Sequence, residues 1–200
     1  SEKYLIQSAG SFPVLKLGKK YKEILNDNIK IIRKENEKIV VLDADLATAT
    51  KTINFAKKFP ERFFDMGIAE ANMMSTSAGM ATTGKVPFAS TFAVFAAGRS
   101  YDQIRNSICY PNLNVKICST HSGITVGEDG ATHQMLEDIS MMRTLPNMKV
   151  LSPADDIETK WAIEEAYKQK GPVYVRLSRL ATPIIYDENQ KFEIGKAVQI

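Results

Sequence analysis

The side chains best suited to chemistry lie in one glycine-rich loop, residues 119–134. This loop contains both histidines of the chain, His121 and His133, together with Glu128 and Asp129. Histidine has the side-chain pKa nearest neutrality, so it suits proton transfer and hydrogen bonding to polar substrates. The loop is therefore a candidate site, although a solvated surface loop explains this segment on its own equally well.

A second candidate is Glu70, in the first turn of a predicted helix at residues 69–83. The helix otherwise consists of small and apolar residues, and Gly84 follows it as a C-terminal cap. A glutamate that only complements the helix dipole is the simpler interpretation of Glu70 alone. The scarcity of other charges nevertheless indicates a buried helix, in which a carboxylate needs a partner or a proton.

Composition argues against several classes of protein. The 26 basic and 23 acidic residues give a formal charge of +3, which is too small and too dispersed to indicate nucleic-acid binding. Lysines are frequent in residues 16–22 and 30–38, and the helical spacing of the second group is typical of a solvated helix face. No apolar run approaches the length of a membrane span, and no signal peptide is visible.

Cysteine usage indicates the compartment. Cys109 and Cys118 are the two cysteines, without zinc-ligand spacing and without a secretory segment ahead of them. We therefore expect a reduced, cytoplasmic protein with no metal ligands of its own.

Segments of strand length alternate with segments of helical periodicity. Strands are predicted at residues 38–42, 86–90, 114–118, 148–151 and 173–177, and helices at 21–32, 69–83, 95–108 and 135–145. A further helix is predicted to begin with Ser152 as its N-cap and Pro153 in its first turn, and to end near Gly171. Strands joined by crossover helices form a parallel sheet. The predicted fold is therefore α/β, a three-layer αβα domain with a mostly parallel, doubly wound sheet.

The candidate residues all follow predicted strands. The segments concerned are residues 43–50, 65–70, 90–95, 119–133 and 176–179. In an open parallel sheet, ligands bind beyond the carboxyl ends of the strands. The sequence therefore predicts one site at that edge of the sheet.

Six short segments, in order along the chain, resemble the pyrimidine-binding domain of the thiamin-diphosphate-dependent transketolases. They are residues 44–47 (ADLA), 67–73 (GIAEANM), 90–95 (STFAVF), 127–134 (GEDGATHQ), 146–148 (PNM) and 177–179 (LSR). A single match of this kind would carry little weight, but the ordered series is specific. The resemblance runs from about residue 17 to the end of the chain.

The resemblance implies roles around thiamin diphosphate. In this family the glutamate that matches Glu70 hydrogen-bonds ring nitrogen N1′ of the aminopyrimidine, which favours the imino tautomer that removes the thiazolium C2 proton. Glu70 is thus implied to be a catalytic and cofactor-binding residue. Phe95 is implied to stack on the pyrimidine with Phe92 beside it, although the pair alone would be read as core aromatics. Asp45 and Leu46 match a cofactor-side or interface contact.

The resemblance also implies a sugar phosphate site. His121, Asp129 and His133 match positions that reach the hydroxyls and the carbonyl of the substrate, and His133 is implied to take part in catalysis. Arg179 matches an arginine that binds the substrate phosphate, for which a bidentate guanidinium is well suited.

Some positions depart from the family pattern. Gly98 stands where a third aromatic residue is common. Lys20 or Lys22 stands where the family often has an arginine, and Thr48 and Ala49 stand where it has a serine. These departures concern the fit of the pyrimidine pocket and the binding of the phosphate.

The Gly-Asp-Gly…Asn motif, which holds the metal and the diphosphate in this family, does not occur in the chain. The resemblance therefore implies a diphosphate-binding partner subunit or domain that supplies Mg2+. We also expect a homodimer. The isolated chain is expected to be inactive. We expect an N-terminal arm at residues 1–18, a pyrimidine-binding domain at 19–186, and a connector at 187–200 that could lead to a further C-terminal domain.

The function expected from the resemblance is transfer of a two-carbon ketol unit between sugar phosphates. One alternative is a 1-deoxy-xylulose-5-phosphate synthase, but that family tends to carry arginine at the position of Phe95. The β subunit of 2-oxo-acid dehydrogenases lacks the GEDGxTHQ form. A noncatalytic assembly module is a further alternative. Against it argues the joint presence of five site residues, namely Glu70, His121, Asp129, His133 and Arg179.

Overall fold

The computed structural model describes residues 5–7, 15–17 and 37–198. The chain divides into two compact units, residues 1–36 and 37–200. In the first unit, strands β1 (Leu5–Gln7) and β2 (Leu15–Leu17) pair in antiparallel fashion. The helix predicted at residues 21–32, the positions Lys20 and Lys22, and most of the lysine-rich segments lie outside the described residues.

In the second unit, six described strands form one parallel sheet. They are β3 (Ile39–Asp43), β4 (Phe63–Asp65), β5 (Val86–Phe92), β6 (Lys116–Thr120), β7 (Lys149–Leu151) and β8 (Val173–Arg176). Their order across the sheet is β4-β3-β5-β6-β8-β7, and each pairs in parallel with its neighbours. The chain leaves β3 toward β4 and returns to the other side of β3 at β5, so the direction of winding reverses there. The predicted α/β fold is confirmed.

The central strands are buried along their whole length, as both faces of a parallel sheet are covered. Every residue of β3, β5 and β6 is buried. Strand β5 continues two residues beyond the predicted end, because Thr91 and Phe92 pair with Ser119 and Thr120 of β6. Strand β4 was not predicted, because it has three residues and lies half-exposed or exposed at the edge of the sheet.

Helices connect the strands. They are α1 (Ala47–Thr50), α2 (Ile53–Lys58), α3 (Glu70–Thr82), α4 (Tyr101–Gln103), α5 (Asp138–Arg143) and α6 (Asp156–Lys168). Short 3-10 turns occur at Pro60–Arg62 and Ala131–His133, and π-helical turns at Val94–Arg99 and Ile104–Cys109 flank α4. The predicted helix at 95–108 is therefore helical but contains π-turns, whose additional residue per turn no periodicity argument anticipates.

Helix α5 is shorter than the predicted segment 135–145. The reason is an isolated antiparallel bridge between Gly123 and Met135. The Gly123 N–H donates to the Met135 carbonyl over 2.7 Å, and the Met135 N–H donates back over 3.1 Å. Met135 is thus held in extended backbone beside the loop, and the helix begins three residues later.

Helix α3 forms the main packing contact with the sheet. Its Met73, Met74 and Ala78 are buried in the core together with Leu42 and Ala89 from the strands. Small residues on the helix allow its backbone to approach the sheet closely, and the methionines fill the irregular space that remains. This packing holds Glu70, the first residue of the helix, at the carboxyl edge of the sheet.

The predicted start of α6 is wrong: Asp155, rather than Ser152, is the N-cap. The Asp155 carboxylate accepts the Glu158 N–H over 2.9 Å through Oδ1, and the N–H groups of Ile185 and Tyr186 over 3.0 Å each through Oδ2. One carboxylate thus satisfies three amides, whereas a serine hydroxyl could serve fewer. Both Ser152 and Asp155 are acceptable N-caps by residue type. The contacts that favour Asp155 come from amides about thirty residues away, which local sequence does not reveal.

At the opposite, amino edge of the sheet, a buried lysine holds the end of α6. Lys116 Nζ donates to the carbonyls of Gln169 and Gly171 and to Oδ1 of Asn114, over 2.7, 2.8 and 2.7 Å. Burial, together with the nearby charge of Lys149, lowers the pKa of Lys116 to about 7. Its Nζ takes the place of water on the carbonyls that follow the helix.

We expect Asp155→Ala to lower the free energy of unfolding by about 1–3 kcal/mol, the combined range for a lost helix cap and for buried amides left without an acceptor. Urea unfolding followed through the fluorescence of Trp161, which lies in α6, measures this change. Ser152→Ala is the matched control and should have almost no effect, since Ser152 is exposed. A larger loss for Ser152→Ala than for Asp155→Ala would contradict the assignment of the cap.

Candidate active site

The predicted site residues meet at the carboxyl edge of the sheet. Since neighbouring strands are parallel, segments that follow β3, β4, β5, β6 and β8 emerge on the same side. Asp45 and Leu46 follow β3, Glu70 follows β4, Phe92 and Phe95 lie at the end of β5, His121, Asp129 and His133 follow β6, and Arg179 follows β8. The point at which the winding reverses, between β3 and β5, lies in the middle of this series.

Four of these side chains form one cluster of rings. The rings of Phe92 and His121 stack, with centroids 3.7 Å apart and planes 18° apart. Phe92 and Phe95 lie nearly parallel, with centroids 5.9 Å apart. His133 approaches Phe95 edge-on at 5.2 Å and Phe92 edge-on at 6.4 Å. Both histidines of the loop are therefore joined to the aromatic pair, and the loop is not a merely solvated segment.

His121 is buried, with 6% of its surface exposed, and its backbone has a φ of +58°. Its Nδ1 lies 3.0 Å from Oγ1 of Thr120. Burial, followed by the positive charges of Arg179 and Lys51, lowers the pKa of His121 to about 4, although the Asp129 carboxylate acts in the opposite direction. At neutral pH the imidazole is therefore uncharged and offers one donor and one acceptor nitrogen.

Glu70 is buried at the beginning of α3. Its Oε1 accepts a hydrogen bond from Nη1 of Arg99 over 3.1 Å. The same guanidinium lies over the ring of Phe95, with its central carbon 4.1 Å from the ring centroid. Arg99 thus joins the buried carboxylate to the aromatic cluster, and the sequence analysis did not single it out. The signal that could have found it is a charged residue four positions after Phe95, one helical turn along.

Arg179 is paired rather than free. Its Nη2 donates to Oε1 of Glu128 over 3.0 Å. The pKa of the exposed Glu128 carboxyl is lowered, first by a hydrogen bond from the backbone N–H of Glu128 itself and then by the charge of Arg179. Gly127 has a φ of +89°, and a Cβ at that position would overlap the Arg179 guanidinium. The glycine therefore lets the arginine lie against the backbone of the loop.

Two carboxylates that lie in the predicted candidate segments, but to which the sequence assigned no role, shape the loops around Asp45. Asp43 is buried, and it accepts the Leu46 N–H over 2.7 Å and the hydroxyls of Thr50 and Thr52 over 2.6 and 2.8 Å. Burial raises the pKa of Asp43, and these hydrogen bonds oppose the rise. The local contacts fix the turn after β3, which begins with Asp45 at a φ of +61°.

Asp65, at the end of β4, holds the adjacent turn. Its Oδ1 accepts the N–H groups of Asp45 over 3.1 Å and of Gly67 over 2.9 Å. It therefore connects the turn after β3 to the segment that leads into Glu70. Both aspartates are the last residues of their strands, and that position is the signal that could have indicated them.

A third carboxylate, that of Asp138, anchors the histidine loop (residues 119–134) to the sheet. Asp138, the fully buried first residue of α5, accepts the Tyr174 hydroxyl over 3.0 Å and Nε of Arg176 over 2.8 Å. Tyr174 and Arg176 belong to β8. This network anchors the C-terminal end of the histidine loop to the sheet, next to the bridge between Gly123 and Met135.

Within residues 37–198 and the two short strands, no group of three or more His, Cys, Asp or Glu side chains could hold a metal ion. In the same part of the chain, no helix has the length and the apolar character needed to cross a membrane.

We expect His121 to remain neutral in the folded chain down to about pH 5, and to titrate near its ordinary value of about 6.5 when the chain is unfolded. Between these two pKa values the unfolded state binds more protons, so the free energy of unfolding should fall as the pH falls from about 6.5 toward 4. NMR titration of the imidazole resonances, assigned with a His133→Gln variant, measures the pKa. Titration of His121 near pH 6.5 in the folded chain would refute the expectation.

Comparison with known protein families agrees with the resemblance found in the sequence. The model of the transketolase pyrimidine-binding domain matches residues 18–184. A chain assigned as the C-terminal section of a transketolase, from Methanocaldococcus jannaschii, is 58% identical over 165 residues, which are 82% of this chain and 52% of that protein. A subunit of a 6-deoxy-6-sulfo-D-fructose transketolase from Clostridium sp. is 42% identical, over 82% of this chain and 51% of its own length.

Two solved transketolase structures are also similar to this chain. A split-gene transketolase described as an inactive β4 tetramer matches with a TM-score of 0.76 and 54% identity, over 88% of this chain and 56% of that one. Transketolase from Campylobacter jejuni matches with a TM-score of 0.70 and 29% identity, over 83% of this chain and 27% of that one. The chain spans about half the length of the first curated relatives. Because the family model matches most of its residues, the chain belongs to the transketolase family, of which it carries the pyrimidine-binding domain.

Proposed function

We propose that the chain forms the pyrimidine side of a thiamin-diphosphate-dependent transketolase site, which moves a two-carbon ketol unit from a ketose phosphate to an aldose phosphate. The observation that carries this proposal is the buried Glu70 carboxylate, connected through Arg99 to Phe95 at the carboxyl edge of the sheet. A buried carboxylate beside an aromatic face suits a planar heterocycle that has a nitrogen at its edge.

When bound, thiamin diphosphate supplies the acidic thiazolium carbon to which the two-carbon unit is attached. In our proposal Glu70 hydrogen-bonds the N1′ edge of the aminopyrimidine and holds the shared proton there. Phe95 packs against the ring, with Phe92 beside it. Asp45 and Leu46 contribute on the cofactor side or at the interface with the partner. The residues present fit this ligand, because the acidic and the aromatic groups lie together at one edge.

The histidine loop would bind the sugar. We assign the substrate hydroxyls and carbonyl to His121, His133 and Asp129, and a role in catalytic proton transfer to His133. A neutral His121 suits this role, since Nδ1 is bonded to Thr120 and Nε2 remains to donate to, or accept from, one substrate oxygen. Arg179 would bind the terminal phosphate, for which it has to share its guanidinium with Glu128 or leave it.

We further propose that a diphosphate-binding subunit or domain outside this chain completes the site and holds the diphosphate and Mg2+. The difference in length supports this proposal, because the chain matches only 26% of the length of human transketolase. We expect the chain alone to be inactive and the working enzyme to contain a dimer of such pairs.

The proposed division of the chain is an arm at residues 1–18, the pyrimidine-binding domain at 19–186 and a connector at 187–200. The two buried free thiols suit a reducing compartment, which we propose to be the cytoplasm.

Glu70→Gln should lower the rate of hydrogen–deuterium exchange at C2 of bound thiamin diphosphate by roughly 10²–10⁴-fold, the usual contribution of a positioned proton-transfer group. The experiment uses the chain mixed with its diphosphate-binding partner, thiamin diphosphate and Mg2+, with exchange followed by NMR. Glu165→Gln, in the last turn of α6 and away from the carboxyl edge, is the control and should leave the exchange rate unchanged. Unchanged exchange in Glu70→Gln would remove Glu70 from catalysis. Absence of ketol transfer by the wild-type mixture would favour a noncatalytic assembly module.

Arg179→Met should raise KM for a phosphorylated donor by roughly 10- to 100-fold, which corresponds to about 1.5–3 kcal/mol for hydrogen bonds to a charged group, with a smaller change in kcat. Glu128→Gln should act in the opposite direction and lower KM, because it removes the carboxylate that engages Arg179. The steady-state assay should include an unphosphorylated ketose, for which neither variant should differ from wild type. A sulfonated ketose would show whether the site prefers phosphate. Equal effects on phosphorylated and unphosphorylated donors would exclude the assigned role.

A further inference from the structure

Arg99 makes two contacts that coincide with those proposed for the cofactor. It donates to Oε1 of Glu70 over 3.1 Å, and its guanidinium covers one face of Phe95 at 4.1 Å. An aminopyrimidine that bonds Glu70 through that oxygen and stacks on that face would need the same space. A guanidinium resembles the edge of such a ring, since it is planar and has N–H donors along its rim.

We infer that Arg99 is a positioning residue that takes the place of the aminopyrimidine when no cofactor is bound, and that it gives up both contacts when the cofactor arrives. This inference rests on the cofactor role of Glu70 proposed above. Without a partner, the Glu70 carboxylate would be buried and unpaired, which is strongly unfavourable. Arg99 therefore keeps the carboxylate and the ring of Phe95 in place until the ligand replaces it.

The surroundings of Arg99 allow this exchange. Its side chain is 55% exposed, whereas that of Glu70 is 6% exposed, so the arginine can move into solvent while the carboxylate cannot. Arg99 is the last residue of the π-helical turn Val94–Arg99. The preceding Gly98 has no side chain, and a Cβ built there would meet no atom within 4 Å. The position beside the Arg99 backbone is therefore unobstructed.

Competition for Glu70 has a thermodynamic consequence. The cofactor binds only to molecules in which the pair between Arg99 and Glu70 is open, so its apparent affinity is reduced by the fraction of open molecules. If about one molecule in ten is open, removal of Arg99 should tighten cofactor binding about tenfold. The same removal should destabilise the cofactor-free chain, because Glu70 then loses its partner.

Arg99→Met tests the inference through two measurements that do not depend on turnover. The first is the Kd for thiamin diphosphate, measured by calorimetry on the chain in complex with its diphosphate-binding partner and Mg2+. We expect a Kd about tenfold lower than that of wild type. The second is the thermal unfolding midpoint of the chain, which should be lower than wild type without cofactor. In the complex with saturating cofactor this difference should disappear.

Two further variants sharpen the result. Arg62→Met is the matched control, because Arg62 also lies over a ring, 4.0 Å from the Phe59 centroid, and also pairs with a glutamate, Glu61, at 3.4 Å. It lies before β4, away from the carboxyl edge, and should leave the Kd unchanged. Arg99→Lys keeps the charge but not the planar group that covers Phe95, so its Kd should lie between those of wild type and Arg99→Met.

The outcomes separate the inference from the proposed function. Weaker cofactor binding by Arg99→Met would mean that Arg99 holds the bound cofactor, and an equal Kd would mean that the two do not compete. Either result overturns the inference and leaves the role of Glu70 standing. If the wild-type complex bound no cofactor, or if Glu70→Gln bound it as tightly and exchanged C2 as fast as wild type, the proposed function would fail and the inference with it.

Discussion

The parallel pairing of β3, β5, β6 and β8 is the constraint on which the site depends. These strands are buried along almost their whole length, as expected of a parallel sheet whose two faces are covered by helices. Parallel alignment brings every carboxyl end to one edge, where the chain must leave the sheet in a loop or a helix. Side chains separated by up to 134 positions, from Asp45 to Arg179, therefore come to the same edge through the parallel pairing alone.

A second constraint arises at that edge, because polar groups are needed where water is excluded. The buried carboxylates there have specific partners, although Oδ1 of Asp138 and the hydroxyl of Thr91 have none. Asp43 is bonded by two hydroxyls and an amide, Glu70 by Arg99, and Asp138 by Tyr174 and Arg176. His121 instead becomes uncharged. The edge is thus a set of preorganised polar groups that a bound ligand does not have to rearrange, apart from the exposed guanidiniums of Arg99 and Arg179.

Arg99 and Arg179 are the residues at this edge whose contacts a bound ligand can replace. Both are paired with glutamates in the chain as it stands. The Arg99 side chain is far more exposed than that of Glu70, whereas the Glu128 side chain is more exposed than that of Arg179. A ligand with a nitrogen edge would therefore displace Arg99 from Glu70, and an anionic group would displace Glu128 from Arg179.

The predictions that failed share a physical cause. Strand β4 is short and lies at the edge of the sheet, so it lacks the buried run by which strands are found in a sequence. The true start of α6 depends on amides at Ile185 and Tyr186, about thirty residues away from Asp155. The length of α5 depends on a bridge to Gly123. Local propensity contains none of these long-range contacts.

The sequence by itself determined the alternation of strands and helices, the α/β class, and the positions of polar residues just after strands, since each depends on periodicity and residue type. It also identified Glu70 and the two histidines as candidates through residue type and position, and Phe92 and Phe95 through the ordered resemblance to one family. Only the tertiary structure decided that the rings of Phe92 and His121 stack, that Glu70 is paired with Arg99, and that Arg179 is held by Glu128. These contacts join different strand ends, and their geometry is fixed by the order of the strands across the sheet, which no local pattern in the chain encodes.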